Sequence, residues 1–155
     1  MIKNTRLLIV CIAIPLVLGV VSSLITGNGM DVFVQVNKPP LSPPGWLFPI
    51  VWTILYTLMG ISSYLILTSG AGEKIEPAIR IYGYQLVVNF LWPTFFFNLE
   101  WYFFSFLWLV LLWGLVLFMI LKFKDISKPA AYLNIPYFLW LTFAGYLNFM
   151  IWLLN

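Results

Sequence analysis

Lys38-Pro39-Pro40-Leu41-Ser42-Pro43-Pro44-Gly45-Trp46-Leu47-Phe48-Pro49-Ile50-Val51-Trp52 joins a proline-stiffened lead-in to an apolar run that continues to about Leu67. Each proline fixes its own φ and pushes the residue before it out of the helical region, so the four prolines ahead of Trp46 hold that stretch extended. Ser42 before Pro43 is the expected helix start, with the hydroxyl capping orphan amides and the proline at the first helical position. Pro49, one turn later, is expected to kink the helix just ahead of Trp52. A rigid, aromatic-lined entrance thus leads into a segment long enough to cross a membrane.

The rest of the chain reads as a wall around that entrance. At 155 residues it is one domain, 1–155, and 63% of its residues are hydrophobic while only 8% are charged. Soluble domains carry about a quarter charged residues, so this is an integral membrane protein. Long apolar runs must be helical, because hydrocarbon offers no partner to an unpaired backbone group. There is no histidine, which removes the commonest general base and metal ligand. The single Cys11 excludes an intrachain disulfide and any multi-cysteine metal site, and reads as a small core- or lipid-facing residue. No metal or cofactor is expected.

Five spans are expected, at about 7–25, 46–67, 81–99, 103–121 and 130–154, giving an all-α bundle of five transmembrane helices. The basic leader and first apolar run share the shape of a signal peptide with Val21-Ser22-Ser23 as a cleavage site, but the length of the run favours an uncleaved span. Residues 26–45 form a long loop of the kind that serves as a lid. Residues 68–80 read as a polar hairpin, and Glu100-Trp101-Tyr102 leaves room only for a tight turn. Of the eight basic residues, Lys3, Arg6, Lys74, Arg80, Lys122, Lys124 and Lys128 fall on one side and only Lys38 on the other. That asymmetry predicts a cytoplasmic N-terminus, with the proline-rich loop and C-terminus opposite. The +3 net charge is therefore a topology signal, and no nucleic-acid partner is expected.

No charged residue lies deep in any span, which disfavours ion-coupled transport. No paired carboxylates or nucleophile–base set offers conventional hydrolysis. Uncharged polar groups at helical spacing remain. Gln85, Asn89, Trp92 and Phe96 share one face of the third span, beside Pro93. Pro136, Trp140, Ala144, Asn148 and Trp152 step along the fifth, and Trp52, Tyr56, Gly60 and Ser63 along the second. Amides are costly in hydrocarbon unless paired, so these faces point inward. Two readings stand: the amides are interhelical glue, or the faces converge on an aromatic cavity for a flat, largely apolar ligand. Trp101, Trp108 and Trp113 are assigned to packing, since the fourth span has no polar face, and Trp46 to the interfacial belt.

Three segments resemble the TspO/MBR family, the tryptophan-rich sensory proteins related to the mitochondrial translocator protein. They are Lys38-Pro39 through Pro43-Pro44-Gly45-Trp46 into Val51-Trp52-Thr53-Ile54-Leu55-Tyr56, then Gln85 to Trp92, then Pro136 through Trp140 and Ala144 to Asn148. The resemblance implies a five-helix bundle, often a homodimer, with a pocket closed by the first loop. It also implies binding of porphyrins such as protoporphyrin IX and of hydrophobic drug-like ligands. By position the pocket would use Trp52, Asn89, Trp92, Trp140 and Ala144, to which the inward-pointing faces add Tyr56, Gln85 and Asn148, and the setting would be a bacterial cell membrane. An enzymatic alternative is light-dependent porphyrin breakdown, with Trp52 and Trp140 as the catalytic electron donors; a third is facilitated passage of lipophilic cargo. Leu41 stands where many members have tryptophan, and Val32 and Phe33 replace loop aromatics, which puts degradation in doubt. A cholesterol pattern needs a basic residue after Tyr146, and Leu147 to Asn155 has none, so cholesterol is not expected.

Overall fold

A computed structural model describes residues 2–155. The helices are α1 (Thr5–Thr26), α2 (Gly29–Gln35), α3 (Leu47–Leu67), α4 (Ile75–Pro93), α5 (Tyr102–Lys124), α6 (Lys128–Tyr132) and α7 (Ile135–Leu154). A 3₁₀ turn, Gly72–Lys74, precedes α4, and a π-helical turn, Thr94–Asn98, follows it. Helices α1, α3 and α5, with the α6–α7 unit, are long and apolar enough to cross a membrane. Helix α4 falls short of that measure because it carries Glu76, Arg80, Gln85 and Asn89, yet it packs as the fifth member of the bundle. The protein is an integral, multi-pass membrane protein.

The start of α3 differs from expectation. Helix geometry begins at Leu47, and the Ser42 hydroxyl donates instead to the Pro39 carbonyl at 2.8 Å. Pro43 precedes another proline and is thereby excluded from the helical region, so the helix waits until the pair is past. Pro49 then occupies the third helical position, where its missing N–H is an orphan in any case; it breaks no bond and kinks nothing. The long loop is also not structureless, since it contains α2. Lys38 caps the end of α2, donating from Nζ to the carbonyls of Phe33 (2.9 Å) and Val34 (3.1 Å).

Two other boundaries move. Helix α4 begins at Ile75, six residues before the expected start, because Glu76 and Arg80 pair one turn apart on its surface and let the first turns project past the apolar zone. The fifth span is broken at Leu133–Asn134, where Pro136 cannot donate to the Tyr132 carbonyl. Asn134 bridges the break, donating from Nδ2 to Ser62 Oγ (2.7 Å) and the Ala130 carbonyl (3.0 Å). The tight turn between the third and fourth spans holds, with Glu100 at φ 53° reversing the chain between the π turn and α5.

Helix α5 lies between α4 and α7 and supplies Leu112, Val116, Met119 and Phe123 to the core. Helix α1 packs mainly on α3 and buries only Cys11, Pro15 and Ser22. Its start is tied to the end of α3, where the Tyr64 hydroxyl accepts from the Lys3 and Asn4 amides at 2.9 and 3.1 Å. The seam between them runs past Gly60, whose α-carbon comes up against the α1 backbone at Cys11 and Ile12. Cys11 is thus a buried packing residue, as the lone cysteine suggested.

Candidate functional site

A cavity of about 410 Å³ lies among α1, α3, α4, α5 and α7. Its walls follow from helical periodicity: Trp52 and Tyr56 on α3, Asn89 and Trp92 on α4, and Trp140, Ala144 and Asn148 on α7 each step by three or four residues, so each set faces inward. Trp52 stacks on Tyr56 with ring centres 5.3 Å apart, and meets Tyr137 edge-on at 6.1 Å. Trp92 stacks on Phe96 of the π turn at 5.0 Å.

The roof comes from α2 and the α3 entrance. Phe33 meets Phe48 edge-on at 5.1 Å, and Phe48 meets Trp140 at 5.8 Å. The loop bearing Phe33 is tied to α7. The Tyr146 hydroxyl donates to the Pro40 carbonyl at 3.0 Å, and the Asn37 amide donates to Asn155 Oδ1 at 3.0 Å. Toward the bilayer the cavity reaches the surface between α1 and α3, where the lining residues Val20 and Leu24 are 60% and 75% exposed.

The amides resolve into glue. Asn89 Oδ1 accepts from the Tyr56 hydroxyl at 2.8 Å, and Asn89 Nδ2 donates to the Tyr137 hydroxyl at 2.7 Å. The Tyr137 hydroxyl in turn donates to Gln85 Oε1 at 2.8 Å. Asn148 Oδ1 accepts from Trp92 Nε1 and Ser105 Oγ, both at 3.1 Å, while its Nδ2 donates to the Tyr102 carbonyl at 2.8 Å. Three helices are stitched at Asn89 and three at Asn148. Pairing of this kind lets an amide sit in hydrocarbon.

Seven of the eight sequence-selected residues line this one cavity, namely Trp52, Tyr56, Asn89, Trp92, Trp140, Ala144 and Asn148. Gln85 does not; it is fully buried behind Tyr137. Phe33, Phe48, Phe96 and Phe97 belong to the walls and were not selected. Phe96 shares the Asn89–Trp92 face and could have been extended to, whereas Phe33 needed the unrecognised helix α2. The assignment of the fourth span as lacking polar company is corrected by Ser105, which is fully buried and reaches Asn148. Trp108 and Trp113 do serve packing, donating to the Val88 carbonyl and Thr142 Oγ1.

The chemistry of the walls is neutral. Among the described residues no three His, Cys, Asp or Glu side chains come together. The Trp92, Trp108 and Trp113 indoles are paired, but among the described residues the N–H groups of the cavity-lining Trp52 and Trp140 have no protein acceptor. The site is therefore an aromatic slot whose walls include two indoles without a protein acceptor for their N–H groups.

Such a fold and slot define a multi-pass helical membrane protein with an aromatic cavity inside its bundle. The TspO/MBR family model matches residues 11–153, and the chain belongs to that family. It is 35% identical to a "Tryptophan-rich protein TspO" of Chlorobaculum tepidum, over 99% of this chain and 98% of that one. It is 35% identical to a "Translocator protein" of Ovis aries over 83% of this chain and 77% of that one. A "Tryptophan-rich protein TspO" of Archaeoglobus fulgidus is 34% identical over 98% of this chain and 99% of that one.

Proposed function

We propose that the cavity is a receptor site for a flat, largely apolar ligand carrying hydrogen-bond acceptors, of the porphyrin class. The observation that carries this reading is the pair of unpartnered indole N–H groups in an aromatic cavity of about 410 Å³. Ligand cavities fall within about 300–1,000 Å³, and an indole N–H without a protein partner in such a wall favours a ligand that supplies the acceptor. The amides hold the walls while Trp52 and Trp140 meet the ligand. Ala144 leaves room for its plane.

Tryptophan fluorescence titrated with protoporphyrin IX in detergent and in darkness tests this. Saturable binding is expected for the parent. Trp140→Phe, which keeps a ring but loses the donor, is expected to bind roughly tenfold more weakly, about the worth of one hydrogen bond. Ala144→Leu, which fills the slot, is expected not to saturate. Equal affinity in all three would mean that porphyrin merely partitions onto an aromatic surface. Repeating the titration under illumination separates binding from breakdown, because an enzyme would bleach more porphyrin than there is protein.

We further propose that the N-terminal side of the bundle faces the cytoplasm, on the seven-to-one division of basic residues. In a Cys11→Ala background, a cysteine placed at Ser69 is expected to resist an impermeant thiol reagent in intact cells, while one at Gln35 reacts. The reverse pattern would invert the topology.

A further inference from the structure

Helices α3 and α7 are not packed backbone to backbone. Helix α3 lies along α1 and touches α6, while α7 lies along α5. Side chains bridge the space between them: Trp52 reaches Tyr137, and Phe48 reaches Trp140. Outside this bridge a second hollow of about 400 Å³ faces away from the cavity. Val51 and Ile54 line it from α3, and Leu139, Trp140 and Phe143 from α7. Trp140 is also in the wall of the central cavity, so the same residue borders both spaces.

The hollow looks into the bilayer. Ile54 and Leu139 are 55% and 62% exposed, and both sit well inside membrane-crossing helices. Pro136, Leu139, Trp140 and Phe143 make one stripe along α7, matched by Val51, Ile54 and Leu55 on α3. The stripe runs roughly 10 Å, at about 1.5 Å per helical residue. Apart from the Trp140 indole, no lining side chain carries a polar atom, so nothing there would hold a headgroup or a hydroxyl. The groove is elongated, apolar and set at hydrocarbon depth.

We propose that this groove takes the hydrocarbon tail of a bilayer lipid, and that the tail braces Trp140 from behind and so couples the surrounding membrane to the cavity. A tail in the groove keeps the ring pressed toward the cavity. An emptied or widened groove lets the ring swing outward and loosens whatever the cavity holds. The coupling rests on the ligand-binding reading above, but occupancy of the groove does not.

The test uses the full chain in phosphatidylcholine vesicles containing lipid brominated at mid-chain, which quenches tryptophan on contact. The difference between the parent and Trp140→Phe isolates emission from Trp140. That emission is expected to be quenched in the parent and quenched at least twofold less in Ile54→Phe/Leu139→Phe, which fills the groove. It is expected to be quenched more in Ile54→Ala/Leu139→Ala, which widens it. Neither position lines the cavity, and a folding failure in one variant leaves the other to decide. Equal quenching in all three would overturn the lipid site. For the coupling, protoporphyrin IX is expected to leave the widened variant at least threefold faster than the filled one. Equal rates would overturn the brace. Absence of porphyrin binding in the parent would remove the ligand reading while the quenching result stood.

Discussion

Gly60→Leu is expected to pry α1 off the bundle. A Cβ at that position would stand 2.4 Å from Ile12 Cα and 2.6 Å from the Cys11 carbonyl oxygen. Both atoms are backbone, so no side chain can turn aside and the helices themselves must part. Overpacking a close seam costs about 1–3 kcal/mol, and more where backbone is the obstacle. Small residues are also what lets helices approach in hydrocarbon, where no hydrophobic force draws them together. The expected outcome is a melting temperature in detergent lowered by roughly 10 °C, read by circular dichroism. Gly83→Leu and Gly114→Leu are the controls, since a Cβ at either meets nothing within 4 Å. If all three variants melt together, the α1–α3 seam is not what holds α1.

Two buried tyrosines should respond in opposite ways to loss of one oxygen. The Tyr137 hydroxyl accepts from Asn89 and donates to Gln85, and all three groups are buried. Tyr137→Phe strands an amide N–H and an amide oxygen, at about 1–3 kcal/mol for each buried group left unpaired. It also releases Asn89 from one of its two partners, so Tyr56 and the cavity wall loosen together. The Tyr82 hydroxyl is equally hidden but has no partner among the described residues. Tyr82→Phe removes an unpaid desolvation cost and is expected to be neutral or stabilising. Thermal unfolding of the two variants side by side decides it. A Tyr137→Phe protein as stable as Tyr82→Phe would show that the amide network is not structural.

Helical periodicity marks an inward face on one helix but not what that face meets on another. Trp52 and Tyr56, Asn89 and Trp92, and Trp140, Ala144 and Asn148 were legible because residues three or four apart share a face, and costly amides mark that face as inward. Gln85 sits on the same stripe as Asn89, yet each helical step of four drifts in angle, and by Gln85 the face has turned from the cavity to Tyr137. Nothing in one helix announces its partner on another. Hence Ser105 was invisible as a ligand of Asn148, and whether the amides were glue or ligand donors stayed open. Phe33 was hidden for a different reason: α2 is seven residues long and too short to show a period. The break at Asn134 was also illegible, because the apolar run continues through it and only Pro136 hints at a lost bond.

The reversal at Leu99–Trp101 bears on the order in which the molecule is put together. Helix α4 is the least apolar of the five and ill suited to enter a bilayer alone. Only three residues separate its π-helical extension from α5, which is apolar almost throughout and packs along it. Contacts so close in sequence form early, and the pair can insert as one hairpin with α5 carrying its polar neighbour. Gln85 and Asn89 are fully paired only where α4 meets both Tyr56 on α3 and Tyr137 on α7, so the cost of unpaired amides in hydrocarbon favours joining all three helices. The cavity wall is therefore complete only when all three helices are in place, and a bundle that stops short leaves its amides unpaired.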